Sequence, residues 1–232
     1  MTMKTLGIVG GIAPIEYYRE VIAGYRARVT DGSYPQIIIN SMNLTPMLAL
    51  LHANRLTETT DLLVGELRKV ADAGADVGLF ASNTPHLMFD AIQQRSPIPL
   101  ISIVTATAAA AEAMGIRKVA LIGTRFTMQG GYYAAECARR GINLVVPRLA
   151  DQETIHEMYM NDFIHGRYQP AAQDLVRDMM KAWLAAEGFD ALILGGTELP
   201  FVLPDGSAVG VPFLNTTSLH VAAALETMVG TR

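Results

Sequence analysis

The sequence predicts an α/β protein built as two pseudo-symmetric halves, each a mostly parallel sheet flanked by helices, with a ligand cleft between the halves. Three observations carry this expectation. Short apolar runs alternate with amphipathic helical stretches along the chain, the pattern of parallel strands joined by crossover helices. The apolar runs stop abruptly at glycine or at small polar residues. The whole order also occurs twice. Gly10 corresponds to Gly123, the pair Tyr17 and Tyr18 to Tyr132 and Tyr133, "GADVGLF" from Gly74 to "GFDALIL" from Gly188, and "PLISIV" from Pro99 to "PFLNTT" from Pro212, at an offset of about 114 residues.

In the first half, an apolar run at 6–9 leads into a glycine turn and a helical pattern. A second run follows at 37–39. An amphipathic helix at about 57–73 is closed by Gly74 as a C-cap glycine. Strands at 77–80 and 100–103 complete the set. The second half repeats this with strands at 119–122, 144–146, 191–194 and 211–214, and with a helix at about 171–186 closed by Gly188. The alanine-rich stretch 105–115 is a strong helix former that joins the halves. The first domain is expected over 1–103, with the chain returning to it over about 212–232, and the second over 104–211.

Composition bounds the function. Of 232 residues half are apolar and 17% charged, which supports a sizeable core. Lys and Arg total 18 against 22 Asp and Glu, for a net charge of −4 with no basic stripe, so no nucleic-acid partner is expected. No stretch approaches the ~20 apolar residues of a membrane span, and the N-terminal apolar run is too short for a signal peptide. A soluble cytoplasmic protein that does not engage membranes is expected. The single cysteine, Cys137, excludes an intramolecular disulfide and cysteine-rich metal sites, and no metal ligand set is assigned. Its counterpart in the repeat is Ile22, a core-facing helix position, so it reads as a small buried hydrophobe.

Ligands of parallel α/β sheets bind beyond the carboxyl ends of the strands. Those ends are "GGIAP", "SMN" and "SNTP" in the first half, and "GTRFT", "PRL" and "GGTE" in the second. Ser82 and Gly196 hold matching positions and are expected on opposite walls of the cleft. Gly11 lies in the first of these turns. Asn83 either closes an Asx-type turn onto Pro85 or, with Thr84, offers an amide and a hydroxyl to a carboxylate. Thr197 matches Asn83 and has the same two readings. Thr124 and Thr127 flank a helix start, where they cap it, contact an anionic substrate, or both. His86 packs against or caps the turn after Ser82, or serves as its base. Glu198 is a first-turn helix acid or a general base. Gly196 is a tight turn or a point of close ligand approach to backbone amides. Asn215, Thr216, Thr217 and His220 sit at a further strand-to-helix junction, where N-capping accounts for the threonines.

The segments "GIVGG" with the following "YY", "SNTPH", "PLISI", "GTRFTM", "GGTELP" and "PFLNTTSLH", in this order and spacing, resemble the aspartate/glutamate racemase family across nearly the whole chain. The resemblance implies two similar α/β halves, often in a homodimer, and proton transfer at the α-carbon of an amino acid or similar small carboxylate without a cofactor. It also implies two opposed cysteines at strand ends, with backbone amides and Asn or Thr side chains holding the α-carboxylate. Its basic recognition residue for an acidic side chain falls near Arg167, whose other reading is a solvated loop arginine. This chain carries Ser82 and Gly196 at the two cysteine positions, and its loop between Pro14 and the tyrosines is shortened. An alcohol is about 7 units harder to ionise than a thiol near ~8.5, on the order of 10 kcal/mol. Ser82 therefore needs a base beside it. The leading expectation is a racemase-family isomerase in which Ser82, with Glu198 or His86, does the acid–base work. The alternatives are a catalytically inactive carboxylate binder and a related enolate-forming decarboxylase or isomerase.

Overall fold

A computed structural model describes residues 3–229. The chain divides into two compact units, one running to Ile103 and resuming at His220, the other Val104–Leu219. The elements, in chain order, are β1 (Leu6–Gly10), α1 (Pro14–Arg28), β2 (Ile37–Ser41), α2 (Leu44–His52), α3 (Leu56–Asp72), β3 (Val77–Phe80), a 3-10 turn (Thr84–Met88), α4 (Phe89–Arg95) and α5 (Ile103–Ala113). There follow β4 (Lys118–Gly123), α6 (Arg125–Gln129), α7 (Tyr132–Arg139), β5 (Asn143–Val145), α8 (Leu149–Asn161), α9 (Pro170–Glu187), β6 (Ala191–Gly195), α10 (Leu199–Val202), β7 (Phe213–Asn215) and α11 (Thr216–Val229). Among these none is a helix long and apolar enough to cross a membrane.

The first unit holds a parallel sheet in the order β2-β1-β3. Its central strand is buried at every residue, as a strand covered on both faces must be. On α1, Tyr17, Val21 and Tyr25 recur every four residues and so form one buried stripe. This stripe shares a core with Val221, Ala224, Leu225 and Met228 of α11. On α3 the buried stripe is Leu63, Val64, Leu67 and Val70. It lies close on β1 because Gly7 has no side chain: a Cβ there would stand 2.8 Å from Val70 Cγ2. Gly74 ends α3 at a φ of +104°, the left-handed backbone that favours glycine.

The second unit repeats the plan with a parallel sheet in the order β5-β4-β6-β7. The expected α/β class, with two repeated parallel sheets flanked by helices, is the one observed. The two fourth strands differ, however. In the second unit β7 is a true strand bonded to β6, and the chain passes to the first unit only at His220, later than the sequence suggests. In the first unit the expected strand at 100–103 is reduced to a single bridge, Gly78 to Leu100. The Ile101 N–H still bonds the Gly78 carbonyl, but the next donor on that side, the Ile103 N–H, goes to His86 Nε2, and α5 begins at Ile103. Cys137 is fully buried on α7, and burial pushes its thiol up to about 11, with Glu136 adding to the shift and Arg140 opposing it.

A buried polar network fixes the end of β3 in the first unit. The His220 ring donates through Nε2 to the Ile101 carbonyl at 2.9 Å, since a carbonyl can only accept, which leaves Nδ1 to accept from the Tyr17 hydroxyl at 2.9 Å. His86 Nε2 accepts from the Ile103 N–H at 3.2 Å, so its proton sits on Nδ1. The two rings are 6.3 Å apart, edge to face. Burial lowers His86 to about 3, helped by the neighbouring His220 and opposed by the Asn83 and Ser82 backbone; burial lowers His220 to about 4, opposed by the Ile101 carbonyl. Both rings are neutral at pH 7. Below the unfolded value near ~6.5 the unfolded chain binds more protons than the folded one, so stability is lost as pH falls through that window towards the folded values. Urea unfolding is expected to weaken by up to about 1.4 kcal/mol per pH unit per histidine below pH ~6.5. The non-titrating His220→Gln variant is expected to show a shallower slope, and an unchanged slope would assign the loss to other groups.

Candidate functional site

In the first unit the strand ends gather three polar turns. After β1, Gly11 lies under Leu44: a Cβ on it would stand 2.6 Å from Leu44 Cδ1. The Ser41 hydroxyl donates to the Gly11 carbonyl at 3.2 Å, and Asn43 Oδ1 accepts from the Thr45 N–H to cap α2. Gly11, Pro14, Ser41 and Asn43 line an open cavity of about 520 Å³ whose rim carries the exposed Ile12 and Ile15. Ser41 and Asn43 were legible only as part of the "SMN" strand end.

After β3 the chain turns at Ser82, which is partly buried and makes no side-chain hydrogen bond among the described residues. Asn83, Thr84 and His86 behind it are buried. Asn83 does not cap the 3-10 turn with its side chain; its carbonyl instead accepts from the His86 N–H at 3.0 Å. His86 is a poor base for Ser82, because its one lone pair is engaged by the Ile103 N–H. It ties the Ser82 turn to the start of α5.

In the second unit β4 and β6 both end in glycine, and Thr127 packs where their side chains would be: Cβ atoms on Gly123 and Gly195 would stand 3.1 Å and 3.0 Å from it. Thr124 caps α6, accepting from the Thr127 N–H, and its hydroxyl lies 3.2 Å from that of Thr127. Beyond β6 come Gly196, Thr197 and Glu198. Above them α8 places a residue that sequence reasoning missed. A Cβ on Gly196 would stand 2.5 Å from Tyr159 Oη and 2.6 Å from Tyr159 Cε2. The Tyr159 hydroxyl donates to Glu198 Oε2, and the Thr197 hydroxyl donates to the same oxygen at 2.7 Å. Burial, followed by the charge of Glu198, holds the Tyr159 phenol well above its ordinary range. One turn earlier on α8, His156 Nδ1 accepts from the Arg125 N–H at 3.2 Å.

Tyr159 shares the spacing of the core residues Ile155 and Phe163, and a sequence reading takes it for packing. Its only signal is indirect: the side chain absent at Gly196 leaves space for something else. Other candidates lie elsewhere. Arg167 is about half exposed, with its guanidinium bonded to Asp162 at 3.1 Å and to the Asn161 carbonyl. Arg125 pairs with Glu153 at 3.4 Å. At the start of α11 the cap is Asn215, whose Oδ1 accepts from the N–H groups of Thr217 and Ser218. The threonines do not supply it: the Thr216 hydroxyl donates to the Leu194 carbonyl at 2.8 Å instead.

The pattern that defines the Asp/Glu/Hydantoin racemase family matches residues 6–224. Over 148 residues the chain is 30% identical to a glutamate racemase of Sodalis glossinidius (strain morsitans); the match takes in 57% of this chain and 47% of that protein, so the chain spans about half the length of this curated relative. Among solved structures, a candidate Asp/Glu racemase of Yersinia pestis superposes with a TM-score of 0.87 at 28% identity, covering 98% of this chain and 100% of that one. An aspartate racemase homologue of Pyrococcus horikoshii superposes with a TM-score of 0.82 at 28% identity and the same coverage. With the repeated parallel sheets and the polar strand ends already described, these matches give one conclusion: the chain belongs to the Asp/Glu/Hydantoin racemase family.

Proposed function

We propose that the protein is an amino-acid racemase-family isomerase that moves the α-proton of aspartate, glutamate or a similar small carboxylate without a cofactor, with a homodimer as the expected assembly. The observation that carries this reading is the meeting of the Tyr159 and Thr197 hydroxyls with the Glu198 carboxylate beyond the carboxyl end of β6, where parallel sheets take their ligands, in a chain whose family match runs from residue 6 to residue 224. In this reading the candidates for holding a substrate carboxylate are Asn83 and Thr84 in the first unit and Thr124 and Thr127 in the second, while Leu44 and Tyr159 take the space at Gly11 and Gly196. Arg167 is not needed, since Asp162 already neutralises it.

The acid–base roles follow from which groups can hold charge. Glu198 is the carboxylate at a strand end and takes the base role. Ser82 has neither a thiol's acidity nor a neighbouring base, since the His86 lone pair is engaged. Its hydroxyl relays a solvent proton towards Cα, taking one from water as it gives one up, so no standing serine anion forms.

Wash-in of deuterium at Cα, followed by NMR in heavy water with each enantiomer of aspartate and glutamate, tests the proposal. Exchange accompanied by appearance of the opposite enantiomer is expected for at least one of them. Saturable binding without exchange identifies a carboxylate binder instead, and release of CO₂ a decarboxylase. Ser82→Ala is expected to slow exchange on the order of 10²-fold, the low end of what a positioned acid or base contributes; unchanged exchange removes Ser82 from the chemistry.

A further inference from the structure

At the end of β6 the space that a side chain on Gly196 would occupy is already filled. A Cβ there would meet the Tyr159 ring and hydroxyl at 2.5 to 2.8 Å, closer than any real Cβ approaches a neighbour, so no residue with a side chain fits at 196 while Tyr159 keeps its place. Position 196 is also the one that the resemblance assigns to a cysteine. The phenol does not stand alone: its hydroxyl donates to Glu198 Oε2, and the Thr197 hydroxyl donates to that same oxygen. Two donors on one oxygen suit an ionised carboxylate. Thr197 and Glu198 remain partly exposed at the strand end, whereas the Tyr159 ring is buried and held by α8.

We propose that Tyr159 replaces the missing side chain of residue 196 as the group that exchanges a proton with substrate Cα, and that Glu198 acts through it. The inference rests on the racemase reading above. In the forward step the phenol oxygen takes the α-proton while its own proton passes to Glu198 Oε2. The C–H bond breaks, the electron pair left on Cα spreads into the substrate carboxylate as an enolate, and the negative charge formerly on Glu198 now resides on the substrate. When the enolate forms by proton loss from its other face and Glu198 has taken up a solvent proton, the transfers run backwards, from Glu198 to Tyr159 to Cα, and give the enantiomer that Tyr159 deprotonates. No free tyrosinate accumulates, so the reluctance of a buried phenol to ionise does not bar the step. Thr197 acts as a positioning residue, fixing the rotamer of the carboxylate.

The experiment measures Cα–deuterium exchange together with ligand affinity by calorimetry, using the substrate enantiomer found for the wild-type protein. Tyr159→Phe and Glu198→Gln are each expected to lower the exchange rate by 10²- to 10⁴-fold while changing affinity by less than about tenfold. Gly196→Cys alone is expected to lower the unfolding midpoint, because its Cβ meets the tyrosine ring. Gly196→Cys combined with Tyr159→Ala is expected to recover both the midpoint and part of the exchange, through a thiol in the vacated space. Exchange in Tyr159→Phe within threefold of wild type overturns the proposal while leaving the racemase reading intact. A wild-type protein that exchanges none of the four enantiomers overturns both.

Discussion

A Cβ on Gly195 would stand 2.7 Å from the Ile122 carbonyl oxygen, and one on Gly123 2.6 Å from the Gly195 carbonyl oxygen. The last residues of the paired strands β4 and β6 are therefore too close to each other to carry any side chain. This constraint shapes what lies beyond them. It lets Thr127 settle onto both strand ends, and at the next position it leaves Gly196 bare under the Tyr159 ring. Polar side chains thus reach the sheet end from α6 and α8 and from the turn after β6, and none comes from the last strand residues themselves.

The two units solve the same architectural problem with different chemistry. In the first, the turn after β3 rests on two buried imidazoles that stay neutral, each satisfied in part by backbone partners on the 101–103 segment. The polar turn after β3 carries no charged side chain, and the partly buried Ser82 sits beside buried Asn83 and Thr84. In the second, a phenol, an alcohol and a carboxylate share one oxygen atom as their meeting point. The second strand end carries a carboxylate, while the side chains named at the first are neutral donors and acceptors.

Much of the fold was legible because it depends on local rules. Alternating apolar runs, the four-residue stripe on α1, and the glycines closing α3 and α9 each follow from a short window of sequence. The expected strand at 100–103 stops after one bridge because the Ile103 N–H goes to His86 and α5 starts there, a contact no short window of sequence shows. At the site, the strand-end residues could be found because β–turn–α boundaries are visible in the sequence. Tyr159 could not be, because what distinguishes it from an ordinary core tyrosine is an approach to Gly196 and Glu198 from a distant helix. The cap of α11 was misassigned for a subtler reason: Asn, Thr and Thr are all good capping residues, and only the geometry shows that Asn215 does it while Thr216 turns to Leu194.

The sealed position of Cys137 has a practical consequence. Its sulfur lies wholly inside α7's core face, and burial, the nearby Glu136 carboxylate and the opposing Arg140 together leave it almost entirely as a thiol at neutral pH. Alkylating reagents and maleimide dyes attack the thiolate, so the native protein is, in effect, already a cysteine-free background. A spectroscopic label introduced at any solvent-facing position of either unit can be attached there without first removing the natural residue.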